Sequence, residues 1–371
     1  MEHEPRFEGV DRIAVLRGGG IGDLVGALPA LAALRAAYPG AETVLLTTPL
    51  LAGLLEGRPS LVDRTVPVPL FPDAVGPGGV RWWAHAPTLA LLSALRAEGI
   101  DLAVQLHGGG RNTNPFVLAL GATHTVGCAT DDAAALERSM PHAFYQRELD
   151  RWLEVAALAG APSAGHVPHF AATAADAAAA RPWLDPACRG LVVVHPGATD
   201  ARRRWPAERF AAVAADLAAD GWQVLVVGDD GERGLAEEVA RAASEGQGPG
   251  VGSVQSAAGR TSLAALVGLL AAARLVVAND SGPRHLAEAL GTPTASVYWA
   301  PNVVNAGPVG RRLNRVQIAW RSACPVCGRD GTDPFAEACG HTVPWVEEVP
   351  VHAVLADAKS LLAGRRAGRG G

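Results

Sequence analysis

The sequence predicts an α/β protein built from two halves, each a parallel sheet with helical crossovers. Three observations predict it. Short β-rich runs alternate with segments of helical apolar spacing. The runs end in glycine or small polar residues, as strands do where they feed a turn into a helix. The rhythm lapses once near the middle and starts again, and 371 residues suit two domains of about 100–200 each.

In the first half, Arg12 to Leu16 reads as a strand ending at glycines. Leu24 to Tyr38 has helical spacing and stops at Pro39-Gly40; Thr43 to Thr47 and Leu102 to Leu106 are further strands. Ala171 to Gly190, Ala-rich and broken by Pro182 and Pro186, reads as the linker. In the second half, Leu191 to Val194 is an uninterrupted apolar run, expected where helices cover both sheet faces. A helix from Phe210 to Ala219 follows, then strands at Val224 to Val227, Leu275 to Ala278 and Thr294 to Tyr298. The expected domains are 1–172, 173–350, and 351–371 as a C-terminal helix with a basic disordered tail from Arg365. Ser244 to Gly252, rich in glycine, is expected to be mobile. In such sheets ligands bind beyond the carboxyl ends of the strands, so both sets of loops are expected to face one cleft.

Composition narrows the function. Hydrophobic residues make up 49% and charged ones 19%, enough for a sizeable core. A net charge of −5 argues against a protein whose work is neutralising nucleic-acid phosphates. Five unevenly spread cysteines do not make a disulfide-stapled secreted fold, and the charged N-terminus leads into no apolar stretch, so a cytoplasmic setting is expected. No apolar run approaches the roughly 18 residues of a membrane span, which leaves at most peripheral membrane contact.

Four turns carry candidate chemistry. Arg17 to Asp23 lies between the first strand and helix, where glycines let backbone approach a ligand. A dinucleotide fingerprint there wants an acid closing strand two, and this strand ends Leu46-Thr47-Thr48, which sets an NAD-dependent enzyme aside. Asp23 reads either as an N-terminal cap or as a base for a hydroxyl proton. His195 to Thr199, followed by Arg202-Arg203-Arg204, sits at a strand end and suits an anion, since guanidinium forks hold phosphate oxygens. Asn279 to His285 opens a helix with Pro283 in its first turn, and the Ser281 hydroxyl and Gly282 N–H suit an anion or serve as a cap. Gly228 to Glu232 offers an acid for ribose hydroxyls or a solvated helix start. Cys324-Pro-Val-Cys327 with Cys339-Gly-His341 has the composition of a zinc site; the Cys-x-His half is poorly spaced, so packed or oxidised thiols are the preferred reading.

Taken in order, these motifs resemble the ADP-heptose–lipopolysaccharide heptosyltransferases, glycosyltransferase family 9. The resemblance rests on Gly22 to Leu31, on His195-Pro-Gly-Ala with Arg203-Arg-Trp-Pro, on Ala258 to Leu263, and on Asp280-Ser-Gly-Pro-Arg-His-Leu286. The late cysteine cluster is also similar to that of some members. The resemblance implies a GT-B fold of two Rossmann-like domains, inversion at the sugar carbon, and no required metal or other cofactor. The chain contains no Asp-x-Asp. The resemblance makes Asp23 the general base. It implies donor contacts from Thr199, Arg203, Arg204, Glu232, Thr261, Asp280, Ser281, Gly282 and His285. Acceptor contacts fall to Arg17, Gly22, His107, Arg111 and Asn112. Three glycines, Gly18 to Gly20, stand where the family more often carries hydroxyls. The implied partners are a nucleotide-sugar donor and a glycan, glycolipid or small-molecule acceptor, with domain closure excluding water. Alternatives are a GT-B transferase for UDP- or GDP-sugars, an epimerase, and a non-catalytic nucleotide-sugar-binding protein.

Overall fold

A computed structural model of the chain describes residues 4–163, 165–245, 252–334, 336–337 and 339–367. The chain divides into two compact units, Met1–Pro168 and His169–Gly371. The first holds β1 (Arg12–Leu16), β2 (Glu42–Thr47), β3 (Arg64–Pro67), β4 (Leu102–Gln105), β5 (His124–Ala129) and β6 (Arg138–Pro141). The second holds β7 (Leu191–His195), β8 (Gln223–Val226), β9 (Ser253–Ser256), β10 (Leu275–Asn279), β11 (Thr294–Trp299) and β12 (Asn314–Ala319).

All pairings between these twelve strands are parallel, and the two sheets share one topology: β3-β2-β1-β4-β5-β6 and β9-β8-β7-β10-β11-β12. This is the doubly wound order, which reverses direction between β1 and β4 in one unit and between β7 and β10 in the other. At that reversal the flanking loops part and leave a crevice beyond the strand ends. The central strands are apolar on both faces because helices cover both: Ile13–Leu16 and Leu191–Val194 are all buried.

Three expectations are corrected. The first helix spans Ile21–Ala37, three residues earlier than the apolar spacing indicates, because the Asp23 carboxylate accepts the Gly20 N–H and closes its first turn. The segment read as a linker carries a helix, Ala174–Ala180, capped by Thr173 and Asp176. That helix packs tightly on Leu263–Ala272: a Cβ at Gly268 would lie 2.0 Å from the Asp176 carbonyl oxygen. The C-terminal helix, Val351–Ala367, runs through the start of the tail expected to be disordered. The rest of that tail, 368–371, and residues 246–251 of the glycine-rich segment expected to be mobile lie outside the described residues.

Candidate functional site

The first half-site forms at the β1/β4 reversal. The chain leaves β1 at Arg17 and turns through three glycines into helix Ile21–Ala37. At Gly18 and Gly19 the turn has no room for side chains. A Cβ at Gly18 would lie 2.4 Å from the Phe71 ring, and Gly19 has φ +87° with the Asp23 carboxylate 2.4 Å from where its Cβ would be. That close packing explains the absence of hydroxyl-bearing residues at Gly18 and Gly19; Gly20 is not crowded in this way. Asp23 is 41% exposed, so it can meet a ligand while it caps. Its Oδ2 accepts from Gly20 N–H at 2.7 Å, and its Oδ1 accepts from Arg17 Nη2 at 3.1 Å. Asp23 therefore caps the turn while part of its carboxylate stays open to solvent.

Arg17, expected at the acceptor, is buried beneath the turn. It donates to Glu148 (2.9 Å) and to the Leu106 carbonyl (2.7 Å), and lies over the Trp152 ring, so it holds Asp23 in place. Gly22 lies in the first helical turn. His107 follows β4. Its Nδ1 accepts from Gly18 N–H at 3.4 Å, and its Nε2 bonds Asp73 at 2.8 Å. The Asp73 carboxyl is held below its usual range by that hydrogen bond. Gln105 fixes the loop by donating to the Gly108 carbonyl (3.2 Å) and to Thr113 Oγ1 (2.8 Å). Asn112 caps helix Thr113–Ala119 through its backbone alone, and Arg111 is 75% exposed with a 3.2 Å ion pair to Asp132.

The second half-site collects loops from four adjacent strands, β9, β8, β7 and β10. Buried His195 ends β7 at the reversal; its Nδ1 is 2.9 Å from Ser281 Oγ and its Nε2 is 3.1 Å from Glu232. Gly197 leaves room for the Glu232 carboxylate: a Cβ would fall 1.8 Å from Glu232 Oε1 and push it away from His195. Burial pushes the Glu232 carboxyl up, but His195, the Asp229 N–H and Arg204 outweigh it and hold it below its usual value. Thr261 follows β9 in a turn anchored to the Glu232 loop by Gly259 N–H to the Gly228 carbonyl (3.0 Å). Thr199 is exposed beside the arginine turn.

The three arginines divide their work. Arg202 pairs with Asp200 (2.7 Å) and lies over the Trp299 and Trp345 rings. Arg203 reaches Asp280 at 3.0 Å, and Arg204 donates to the Ala198 carbonyl and is otherwise exposed. Asp280 is buried between Arg203 and His285 Nε2 (2.9 Å); burial raises its carboxyl, yet these two partners bring it down to about 2. Arg284 Nη1 lies 2.7 Å from His285 Nδ1. An arginine has no acceptor, so Nδ1 accepts and Nε2 carries the proton to Asp280. Ser281 precedes helix Gly282–Ala289 and makes no side-chain cap. Its hydroxyl faces His195 and the Asn279 carbonyl instead, so the first helical N–H groups have no side-chain cap and are open to an anion.

Sequence reasoning placed His195 and Asn279 in candidate turns without giving either side chain a role, and it missed Asp73 and Glu148 altogether. Asn279 ties the loops together, accepting from Trp205 N–H (3.1 Å) and donating to the Pro196 carbonyl (2.7 Å). Cys324, Cys327 and Cys339 are free thiols that cluster closely, and with His341 they bring four ligand atoms within 4.8 Å of one another.

Two doubly wound units, each a six-stranded parallel sheet with its reversal beside the central strand, define the GT-B fold class. A family model described as Glycosyltransferase family 9 (heptosyltransferase) matches residues 88–328, more than half of the chain, and the chain belongs to that family. It is 26% identical over 333 residues to lipopolysaccharide heptosyltransferase 1 of Pseudomonas aeruginosa, covering 85% of this chain and 86% of that protein. A 29% identical match to lipopolysaccharide heptosyltransferase 2 of Salmonella typhimurium spans 131 residues, 35% of this chain and only 37% of that protein's length. The solved structure of E. coli ADP-heptose lipopolysaccharide heptosyltransferase II has the same fold, with a TM-score of 0.74 at 20% identity over 96% of this chain and 99% of that one.

Proposed function

We propose that this chain moves a heptose or related sugar from an ADP-sugar to an acceptor hydroxyl, with inversion. The observation that carries the reading is the start of helix Gly282–Ala289, uncapped by side chains and beside an aspartate already paired with Arg203 and His285. A diphosphate there meets N–H donors and a guanidinium without facing an uncompensated carboxylate. Glu232 holds the ribose and Thr261 lies against the base. Two relatives are lipopolysaccharide heptosyltransferases and the compared structure is named for ADP-heptose, which supports the donor.

In this reading Asp23 accepts the acceptor's hydroxyl proton as the oxygen bonds to the anomeric carbon. The carbon–phosphate oxygen bond breaks on the opposite face, and its electron pair leaves on ADP. Arg203, Arg204, Ser281 and the Gly282 N–H stabilise that charge, so no metal is needed at the reacting centre. Contacts to a glycan, glycolipid or small acceptor fall to the loop at His107, Arg111 and Asn112. No helix among the described residues is long and apolar enough to cross a membrane. The proposed setting is the cytoplasm, with any membrane contact peripheral.

The test is mass spectrometry of products from ADP-heptose with a panel of acceptors, alongside thermal protection by ADP, UDP and GDP. Product formation with selective protection by ADP is expected. Selective protection by UDP or GDP would move the chain to another donor class, an interconverted free sugar nucleotide would make it an epimerase, and binding without turnover would make it a non-catalytic binder.

A further inference from the structure

We infer that Cys324, Cys327, Cys339 and His341 form a structural zinc site that braces the arginine turn of the second half-site. The four ligand atoms converge in three dimensions although Cys-x-His is unpromising spacing in one. Cys339 Sγ lies 3.3 Å from Cys324 Sγ, 3.5 Å from Cys327 Sγ and 3.1 Å from His341 Nδ1, and Cys324 Sγ lies 3.8 Å from that nitrogen. A tetrahedral ion with Zn–S bonds of about 2.3 Å would set its ligands about 3.8 Å apart, so small adjustments complete the site. The sulfurs are well beyond the roughly 2.05 Å of a disulfide. Three thiols and an imidazole form a closed four-ligand set with no position left for a substrate, the hallmark of structural rather than catalytic zinc.

The surroundings are built for thiolates. Cys324 to Gly328 is a tight turn: Gly328 N–H donates to the Cys324 carbonyl at 2.9 Å, with Gly328 at φ +71°. Val326 N–H points at Cys324 Sγ and His341 N–H at Cys339 Sγ, each at 3.5 Å. Backbone donors aimed at ligand sulfurs orient them and offset their charge.

The loop also has something to hold. Gly331 is pressed on the Trp345 ring, where a Cβ would lie 2.3 Å away. Trp345 N–H donates to the Arg202 carbonyl at 2.9 Å, and the Arg202 guanidinium stacks over Trp345 and Trp299. The next residue, Arg203, reaches Asp280. A metal that fixes the cysteine loop therefore fixes the backbone from which Arg203 projects. This assignment is independent of the donor and the acceptor.

Elemental analysis of the full chain, purified without chelator, tests it. A single zinc per chain is expected, with Cys327→Ser/Cys339→Ser losing it. Thiol modification of the unaltered protein by a mercurial should release the ion to a chromophoric chelator, which keeps the test valid if the variant does not fold. Cobalt substituted for zinc should give the intense visible bands of a tetrahedral thiolate site. Hydrogen exchange in the metal-free protein should quicken in 322–345 and at 201–204. A metal-free chain with freely titrating thiols, or an intact mass lower by the hydrogens of a disulfide, overturns the site. Iron at the same stoichiometry overturns the choice of zinc. Unchanged exchange at 201–204 overturns the bracing role. Failure of the donor reading would appear in nucleotide protection and leave the zinc content untouched.

Discussion

The two half-sites stand on the same strand order and at the same point of their sheets, yet they treat a helix N-terminus in opposite ways. In the first unit the terminus of Ile21–Ala37 is filled from within: Asp23 turns back and accepts the Gly20 N–H. A bound anion would meet that carboxylate. In the second unit the terminus of Gly282–Ala289 has no side-chain cap, and its neighbouring Asp280 is tied to Arg203 and His285. The fold provides two equivalent crevices, and in the proposed function the side chains make one basic toward a proton and the other receptive to a diphosphate. Each prediction below attacks one side of that contrast.

The largest effect is expected at Asp23. Asp23→Asn keeps an oxygen that can accept the Gly20 N–H but cannot take up a proton. Turnover should fall by about 10²-fold or more, the scale of a lost general base, with ADP affinity and melting temperature nearly unchanged. Asp23→Ala should add a stability loss of about 1 kcal/mol for the missing cap. Steady-state kinetics and calorimetry on the pair separate the two roles. Turnover retained by the asparagine variant would reduce Asp23 to a cap.

On the other side, Arg203→Ala should weaken ADP binding by about 1.5–3 kcal/mol, as for a charged hydrogen bond lost. It also strips buried Asp280 of one partner, so a modest fall in melting temperature should accompany it. An unchanged ADP dissociation constant by titration calorimetry would remove Arg203 from the diphosphate.

How much of this contrast the residues alone revealed follows from burial. The inner strands β1, β2, β4, β7, β8, β10 and β11 are apolar runs and were legible. Four of the five strands that were not, β3, β6, β9 and β12, are the sheet edges, where sequences such as Arg-Thr-Val-Pro and Ser-Val-Gln-Ser face solvent and lose the pattern. The motif turns were legible because glycine, proline and charge cluster there. Asp73 was not, and neither were the contacts that His195 and Asn279 make from inside those turns, because the partners lie 34, 86 and 74 residues away and no spacing rule links them. The Ala-rich stretch misled for a related reason. Small side chains that look like a linker are also what a close helix pair requires, as Gly268 against Asp176 shows.

Acid should weaken the second unit through Asp280. Its carboxyl lies at about 2 in the folded chain against about 3.9 unfolded. A depressed value means its contribution is present above the unfolded pKa and is lost as pH falls from about 4 toward 2. The contribution at neutral pH is about 2 kcal/mol. Asp280→Asn should therefore be less stable than the parent at pH 7, with the gap closing as the pH falls. Denaturant unfolding across that range checks it, and a gap constant with pH would show that the carboxylate charge is not what Arg203 and His285 stabilise.

The smallest effect is expected at Arg111, where the contrast is sharpened on the acceptor side. Its side chain is largely exposed, and its one ion pair, to Asp132, is a surface pair of the kind that contributes about 0–1 kcal/mol. The backbone of its loop is held by other residues, chiefly Gln105 and Thr113 behind His107 and Gly108. Arg111→Ala should therefore change the melting temperature by no more than about 2 °C and leave ADP affinity untouched. If the loop receives the acceptor, the variant should raise KM severalfold for an acceptor carrying phosphate, with kcat preserved. A neutral acceptor should be unaffected. The difference should also shrink as salt is added, because an exposed guanidinium attracts an anion through screened water. A KM that stays the same for charged and neutral acceptors alike would place the acceptor elsewhere on the first unit, and Arg111 would be a solvated partner of Asp132 and nothing more.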